Sequence, residues 1–142
     1  MEWVRDDGGR AEAGYTGKAG DCVVRAVAIA TGLPYQDVYD ALSTGARNER
    51  QSTARSARDG IHVKRLWFKR YMESLDWKWT PTMSIGSGCK VHLRAEELPA
   101  GRLVVSLSKH YAAVVDGVIH DEYDPSRDGT RCVYGYWSQA AH

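Results

Sequence analysis

Between Gly20 and Gly32 the chain reads GDCVVRAVAIATG. In a helix beginning at Cys22, the residues Val23, Val24, Val27, Ala28 and Ile29 cover most of the surface, so the helix is stable only if neighbouring elements bury it. Gly32 suits the end of such a helix, because glycine adopts the left-handed backbone of a C-cap without a steric cost. Whatever else the chain does, it must build cover for a central helix. That helix starts with a cysteine, and Asp21 before it reads as the N-cap.

The cover is legible in the patterning that follows. Pro34 suits the first turn of a second helix over PYQDVYDALS, in which Tyr35, Val38, Tyr39 and Leu42 fall on one face. Residues 44 to 60 are polar and read as a loop, with at most a marginal helix. Lys64 to Leu75 predicts a third helix, with Leu66, Trp67, Tyr71 and Leu75 as its apolar stripe. DWKWTPT reads as a short strand. After a glycine-rich turn at residues 85 to 88, the period changes to two. RLVVSLS, HYAAVV and VIHDEY predict successive strands, the last two joined through Asp116-Gly117 as a tight hairpin, and TRCVYGYW a final strand. Residues 1 to 21, rich in glycine and charge, read as an irregular N-terminal arm. The expectation is one α+β domain over residues 1–142, with N-terminal helices, among them the buried helix that starts at Cys22, packed on a C-terminal antiparallel sheet.

Composition narrows the setting. Hydrophobic residues at 43% and charged residues at 26% are those of a globular chain. No apolar run approaches the roughly 20 residues that a membrane helix needs. The start, MEWVRDDGGR, lacks the apolar region of a signal peptide, so the expected location is the cytoplasm. Cys22, Cys89 and Cys132 are odd in number and far apart, which predicts reduced thiols rather than a disulfide framework. The net charge is only +1, but eight Lys and Arg between Arg47 and Arg70, against Glu49 and Asp59, give that segment +6. Its plain reading is a solvated loop and helix face. The sharper one is a docking surface for an acidic partner, carried by Arg47, Arg50, Arg55, Arg58, Lys64 and Arg65.

Cys22 carries the chemical interest. A cysteine attacks as its thiolate, and the partial positive charge of a helix N-terminus stabilises that form, an imidazolium more so. Free N–H groups of the first turn can also receive a developing oxyanion. The plainer role for Cys22 is that of a small buried hydrophobe. His110 is the partner that the second half offers, placed where a strand opens after Ser108-Lys109. A two-residue turn at Asp116-Gly117 pairs Val115 with Val118, so strand alternation puts His110, Ala112 and Val114 on one face with Ile119, Asp121 and Tyr123. Asp121 then lies diagonally beside His110, whereas His120 and Asp124 point to the other face. A bulge near Glu122 would exchange Asp121 and Asp124.

GDCVVRA at the start of a buried helix, with KHYAAVV and a strand ending in Asp far downstream, resembles the papain-like cysteine peptidase superfamily. GDCVVRA is locally similar to the nucleophile motif of ovarian-tumour-type deubiquitinases. The histidine strand and the Asp124-Pro125 that follows are similar to bacteriocin-processing cysteine peptidases, and the whole string is similar to small bacterial and phage proteins. The resemblance implies thiol-dependent acyl chemistry on a protein or peptide, with Cys22 as nucleophile, His110 as general base and acid, and Asp121 or Asp124 as orienter. It departs from the papain pattern in one respect. Residues 1 to 21 hold no Gln or Asn to complete an oxyanion hole, which leaves Thr16, Lys18 and the backbone from Gly17 through Gly20 to Asp21.

Other readings have less behind them. Cys89 and His92 have a Cys-x-x-His spacing, with His62, His120 and Cys132 as further conceivable ligands, but no second close pair accompanies them, so no metal is expected. Trp67 and Tyr71 beside the basic segment suggest base stacking, yet both fall on a helix stripe, so nucleic acid is not an expected partner. Gly86-Ser87-Gly88 lacks the Lys and helix of a phosphate loop, and no cofactor is implied. Two functions of different kind remain: a cysteine hydrolase, with an acyl transferase using the same triad, and a non-catalytic binding protein on the same scaffold.

Overall fold

The computed structural model describes residues 1–15, 21–47, 66–84 and 86–140. The central helix forms as its composition requires. In α1 (Cys22–Thr31), Val24, Val27 and Ala30 have no exposed surface, and Gly32 closes the helix in the left-handed conformation with φ 76°. α2 (Tyr35–Arg47) turns Tyr35, Val38, Leu42 and Ala46 into the same core, and α3 (Leu66–Ser74) adds Phe68 and Met72.

Two details of the helices differ from expectation. α2 continues through Thr44–Arg47, where a polar loop was expected to begin. Ala46 anchors that last turn in the core, and Gly45 lets the Trp67 indole lie against it, since a Cβ there would stand 2.2 Å from indole Cε3. The apolar face of α3 is also rotated from the expected stripe. Leu66 is 58% exposed and Trp67 only half-buried, while Phe68 and Met72 are fully buried. The reason is aromatic packing across layers: the Phe68 ring meets Tyr111 and Trp137 edge-on at 6.4 and 6.3 Å.

The strands form one six-stranded sheet in the order β1 (Glu2–Arg5), β5 (Val118–Asp121), β4 (His110–Val115), β3 (Arg102–Leu107), β6 (Gly135–Gln139), β2 (Trp77–Pro81). All neighbours are antiparallel except β1 and β5, so the sheet is mixed rather than antiparallel and is not confined to the C-terminal half. Nor are residues 1 to 21 an irregular arm throughout. Glu2–Arg5 is an edge strand, and the Asp6 N–H extends its bonding to the Asp121 carbonyl at 2.9 Å. Four residues followed by Asp6-Asp7-Gly8-Gly9 show no alternation, and the partner that makes them a strand lies more than a hundred positions away. The last strand also begins later than expected, at Gly135 rather than Thr130.

Both faces of the sheet are covered. Trp77, Val104, Tyr111, Ala113 and Trp137 face the helices. Leu103, Val105, Leu107, Ala112, Val114 and Ile119 face a second core closed by Leu93, Leu98 and Val133, around a short 3-10 turn at Ala95–Glu97. α1 lies along β4. Its C-terminal end is fixed at the far end of the sheet, where Arg102, paired with Val115, donates from Nη1 to the Ile29 carbonyl at 3.2 Å. Its first residue therefore arrives at the end of β4 where His110 stands. Among the described residues, no helix is long and apolar enough to cross a membrane.

The cysteines do not follow the expectation of three reduced thiols. Cys89 and Cys132, 43 positions apart, form a disulfide with Cα atoms 5.8 Å apart, in a region already joined by the bridge between His92 and Cys132. Wide spacing hid the pair because the contact comes from the meeting of two irregular segments. The expected cytoplasmic location rested on the N-terminal sequence, and a disulfide is uncommon in that compartment. Cys22 is the free cysteine among the described residues, which include all three. Iodoacetamide without reductant is therefore expected to modify Cys22 alone. Peptide mass spectrometry is expected to find Cys89 and Cys132 modified only after a reductant is added.

Candidate active site

Cys22 is the first residue of α1 and is half-buried. Asp21 occupies the N-cap position with φ −96° and ψ 27°, but its side chain does not cap the helix. Its carboxylate is buried and taken by three other groups: Arg25 one turn along, the Tyr35 hydroxyl, and Arg10 Nε at 3.2 Å. A carboxylate has no proton to offer an oxyanion; the part of Asp21 expected to serve there is its backbone. Of the other residues expected to serve there, Thr16, Lys18 and Gly20 lie outside the described residues.

His110 opens β4 and is buried, 8% exposed. Its position follows from the hairpin before it, where Leu107 pairs with His110 across a turn that Lys109 completes with φ 55°. The next hairpin runs in the expected register, Val115 opposite Val118 and Ala113 opposite His120. Asp121 thus ends β5 diagonally from His110, and the two side chains meet: His110 Nε2 lies 2.6 Å from Asp121 Oδ2. Asp121 is only 3% exposed, and its other oxygen accepts the Glu122 N–H at 2.7 Å. Asp124 is exposed and accepts the Ser126 N–H at 2.9 Å, away from the ring. His120 is bound to Asp6 at 3.2 Å through Nδ1. The structure thus brings together Cys22, His110 and Asp121 and leaves out His120 and Asp124.

With Nε2 at Asp121 and the Tyr123 hydroxyl 3.4 Å from Nδ1, the ring lies close enough to the Cys22 sulfur for its charge to act on it. Pairing between β4 and β5 ends at Ala113 and His120, which frees the start of β4 for this role. Burial alone would push the Cys22 thiol up, but the hydrogen bond and charge of His110, the Tyr111 N–H and the Arg25 guanidinium together hold it below its ordinary value. Burial likewise favours the neutral ring of His110, yet the hydrogen bonds to Asp121 and Cys22 carry its pKa up to about 9. The opposite shifts favour a thiolate beside an imidazolium.

Residues that the sequence did not single out complete the site. Arg25, 6% exposed on an otherwise apolar helix, has Asp21, Glu122 and Asp121 around its guanidinium. The signal was present as a lone cation four positions after an Asp. Tyr123 lies over the histidine, with ring centroids 5.2 Å apart and its hydroxyl 3.4 Å from Nδ1. Trp3 donates from Nε1 to the Asp121 carbonyl at 3.1 Å, so the edge strand braces the carboxylate's own residue.

No group of His, Cys, Asp and Glu able to hold a metal ion occurs among the described residues; the Cys89-x-x-His92 pattern is accounted for by the disulfide and by a contact between His92 Nδ1 and Glu97 at 3.2 Å. Of the basic segment, Arg47 is exposed at the end of α2 and reaches Thr44 Oγ1 at 3.3 Å, whereas Arg50, Arg55, Arg58, Lys64 and Arg65 lie outside the described residues. The chain matches no protein-family model, no curated protein and no solved structure.

Proposed function

We propose that the chain is a papain-like cysteine hydrolase that cleaves a peptide, isopeptide or other amide through a thioester. The observation that carries this reading is Asp121 Oδ2 standing 2.6 Å from His110 Nε2, with the ring coupled to the Cys22 thiol at the start of α1. The chain order of nucleophile, base and orienter, with the nucleophile at a helix N-terminus and the base opening a strand, supports the papain-like assignment.

In this reading the Cys22 proton resides on His110 Nδ1, and Asp121 stabilises the resulting imidazolium. The thiolate attacks the amide carbon, and the carbonyl electrons move onto oxygen, where backbone N–H groups beside Cys22 receive the charge. Collapse of this adduct breaks the C–N bond, and His110 gives its proton to the departing amine. Water, deprotonated by the same nitrogen, then cleaves the thioester and restores the thiolate beside the imidazolium. An amine in place of water would make the protein an acyl transferase. Acidic peptides are the substrate class that the basic segment would favour.

The test is incubation of the full chain with a complex peptide mixture and mass-spectrometric reading of new termini, with Cys22→Ala as control. Cleavages are expected with the unaltered chain and none with the variant. A folded chain whose Cys22 is reactive but which produces no Cys22-dependent cleavage or amine adduct would instead favour a binding protein.

A further inference from the structure

Arg25 is out of place as a packing residue. α1 is buried on most of its surface, and an unbranched apolar side chain would fill the position without bringing a charge into the interior. Instead the guanidinium connects carboxylates from two parts of the fold. Nη1 is paired with Asp21 at the N-cap position of its own helix and lies 3.1 Å from Glu122 Oε1, while Nη2 stands 3.7 Å from Asp121 Oδ1 at the end of β5. Nε is buried and has no hydrogen-bond partner among the described residues, so the connection is made by the two terminal nitrogens. Asp121 Oδ1 is the oxygen that does not face His110.

We propose that Arg25 is a positioning residue for the triad: held by Asp21, it fixes the rotation of the Asp121 carboxylate and locks the helix that carries Cys22 against the strand end that carries the His110 partner. The proposal rests on the hydrolase reading for its consequence, though not for its geometry. Arg25 does not touch the reacting atoms. It acts by keeping Asp121 Oδ2 on His110 Nε2, which in turn keeps Nδ1 available to the thiol. Its planar fork is what the task requires, because one ammonium cannot reach the carboxylates of both elements with the same geometry. Arg10 and Tyr35, bound to the far side of Asp21, hold the anchor itself in place.

The experiment compares the full chain with Arg25→Met and Arg25→Lys by two readouts, with circular dichroism reporting the fold. One is the pH midpoint of iodoacetamide labelling at Cys22. The other is the NMR resonance of the His110 Nε2 proton, which a short hydrogen bond to a buried carboxylate shifts downfield and shields from exchange. Arg25→Met is expected to raise the labelling midpoint by about one pH unit, the lower end of what a neighbouring opposite charge supplies, and so to slow labelling about tenfold below it. It is also expected to broaden the ring-proton resonance or move it upfield. Arg25→Lys is expected to recover part of the midpoint, through its charge, and not the resonance. A folded Arg25→Met or Arg25→Lys with the resonance of the unaltered chain overturns the proposal. Should Arg25→Met not fold, Arg25→Lys, which keeps the buried cation, decides it. If Cys22 of the unaltered chain labels only as an ordinary thiol, the hydrolase reading fails, while the resonance still decides for or against Arg25.

Discussion

Replacing His110 with Ala is expected to raise the pH at which Cys22 becomes nucleophilic to at least its ordinary thiol value, 9.0. The direction follows from the order of the forces on the sulfur. Burial is the largest and opposes ionisation; His110 provides the strongest two that favour it, a hydrogen bond and a positive charge, and the variant removes both while the sulfur stays buried. The Tyr111 N–H and Arg25 remain but are weaker. At neutral pH the thiolate population falls to about 1%, and labelling is expected to slow on the order of tenfold to a hundredfold, the gain in intrinsic nucleophilicity offsetting part of the loss. His120→Ala is the matched control, since that ring is engaged with Asp6 and not with the sulfur. Turnover has a second boundary. With His110 at about 9, the rate is expected to rise with pH as the Cys22 thiol ionises and to fall again above about 9 as the ring loses the proton it must give the leaving amine. A labelling profile in which His110→Ala and the unaltered chain coincide would remove the histidine from the site.

The parts of this site that were legible in the sequence are those set by local rules. Asp116-Gly117 dictates a two-residue hairpin, the hairpin dictates that Val115 meets Val118, and strand alternation then separates Asp121 from His120 and Asp124. What the sequence did not reveal comes from non-local contact. Ala112, Val114 and Ile119, the residues that share the His110 face by alternation, lie in the core remote from the helices, whereas α1 covers Tyr111 and Ala113. Cys22 is therefore brought to His110 at the end of the strand and not across the sheet. Periodicity along one strand carries no information about which layer covers which face. The same holds for Glu2–Arg5, a strand only because Val118–Asp121 accepts it in parallel, for the Cys89–Cys132 pair, and for Arg25, whose three carboxylates lie just before α1 and at and just after the end of β5.

Asp121→Asn is expected to abolish most turnover, by up to about 10⁴ on the pattern of triads that lose their orienting carboxylate, while Asp124→Asn is expected to leave it near that of the unaltered chain. The size of the effect follows from what surrounds the carboxylate. Oδ1 accepts the Glu122 N–H at 2.7 Å and faces the Arg25 cation, so both groups at that side are donors. An asparagine in the same place must turn its carbonyl oxygen toward them, because its amide nitrogen would set donor against donor. The amide nitrogen is then left at the Oδ2 position, 2.6 Å from His110 Nε2, where the carboxylate had accepted the ring proton. Nε2 must become the acceptor, and the ring proton moves to Nδ1, the nitrogen that has to take the thiol proton. The fold survives because the shape and one set of hydrogen bonds are retained, but the base is in the wrong tautomer and the imidazolium has lost its counter-charge. At Asp124 the same change disturbs only an exposed turn that the Ser126 N–H closes. Steady-state kcat for the two variants on a peptide found to be cleaved by the unaltered chain makes the comparison. Equal loss in both, or the reverse ranking, would mean that the carboxylate on His110 is not the orienting group.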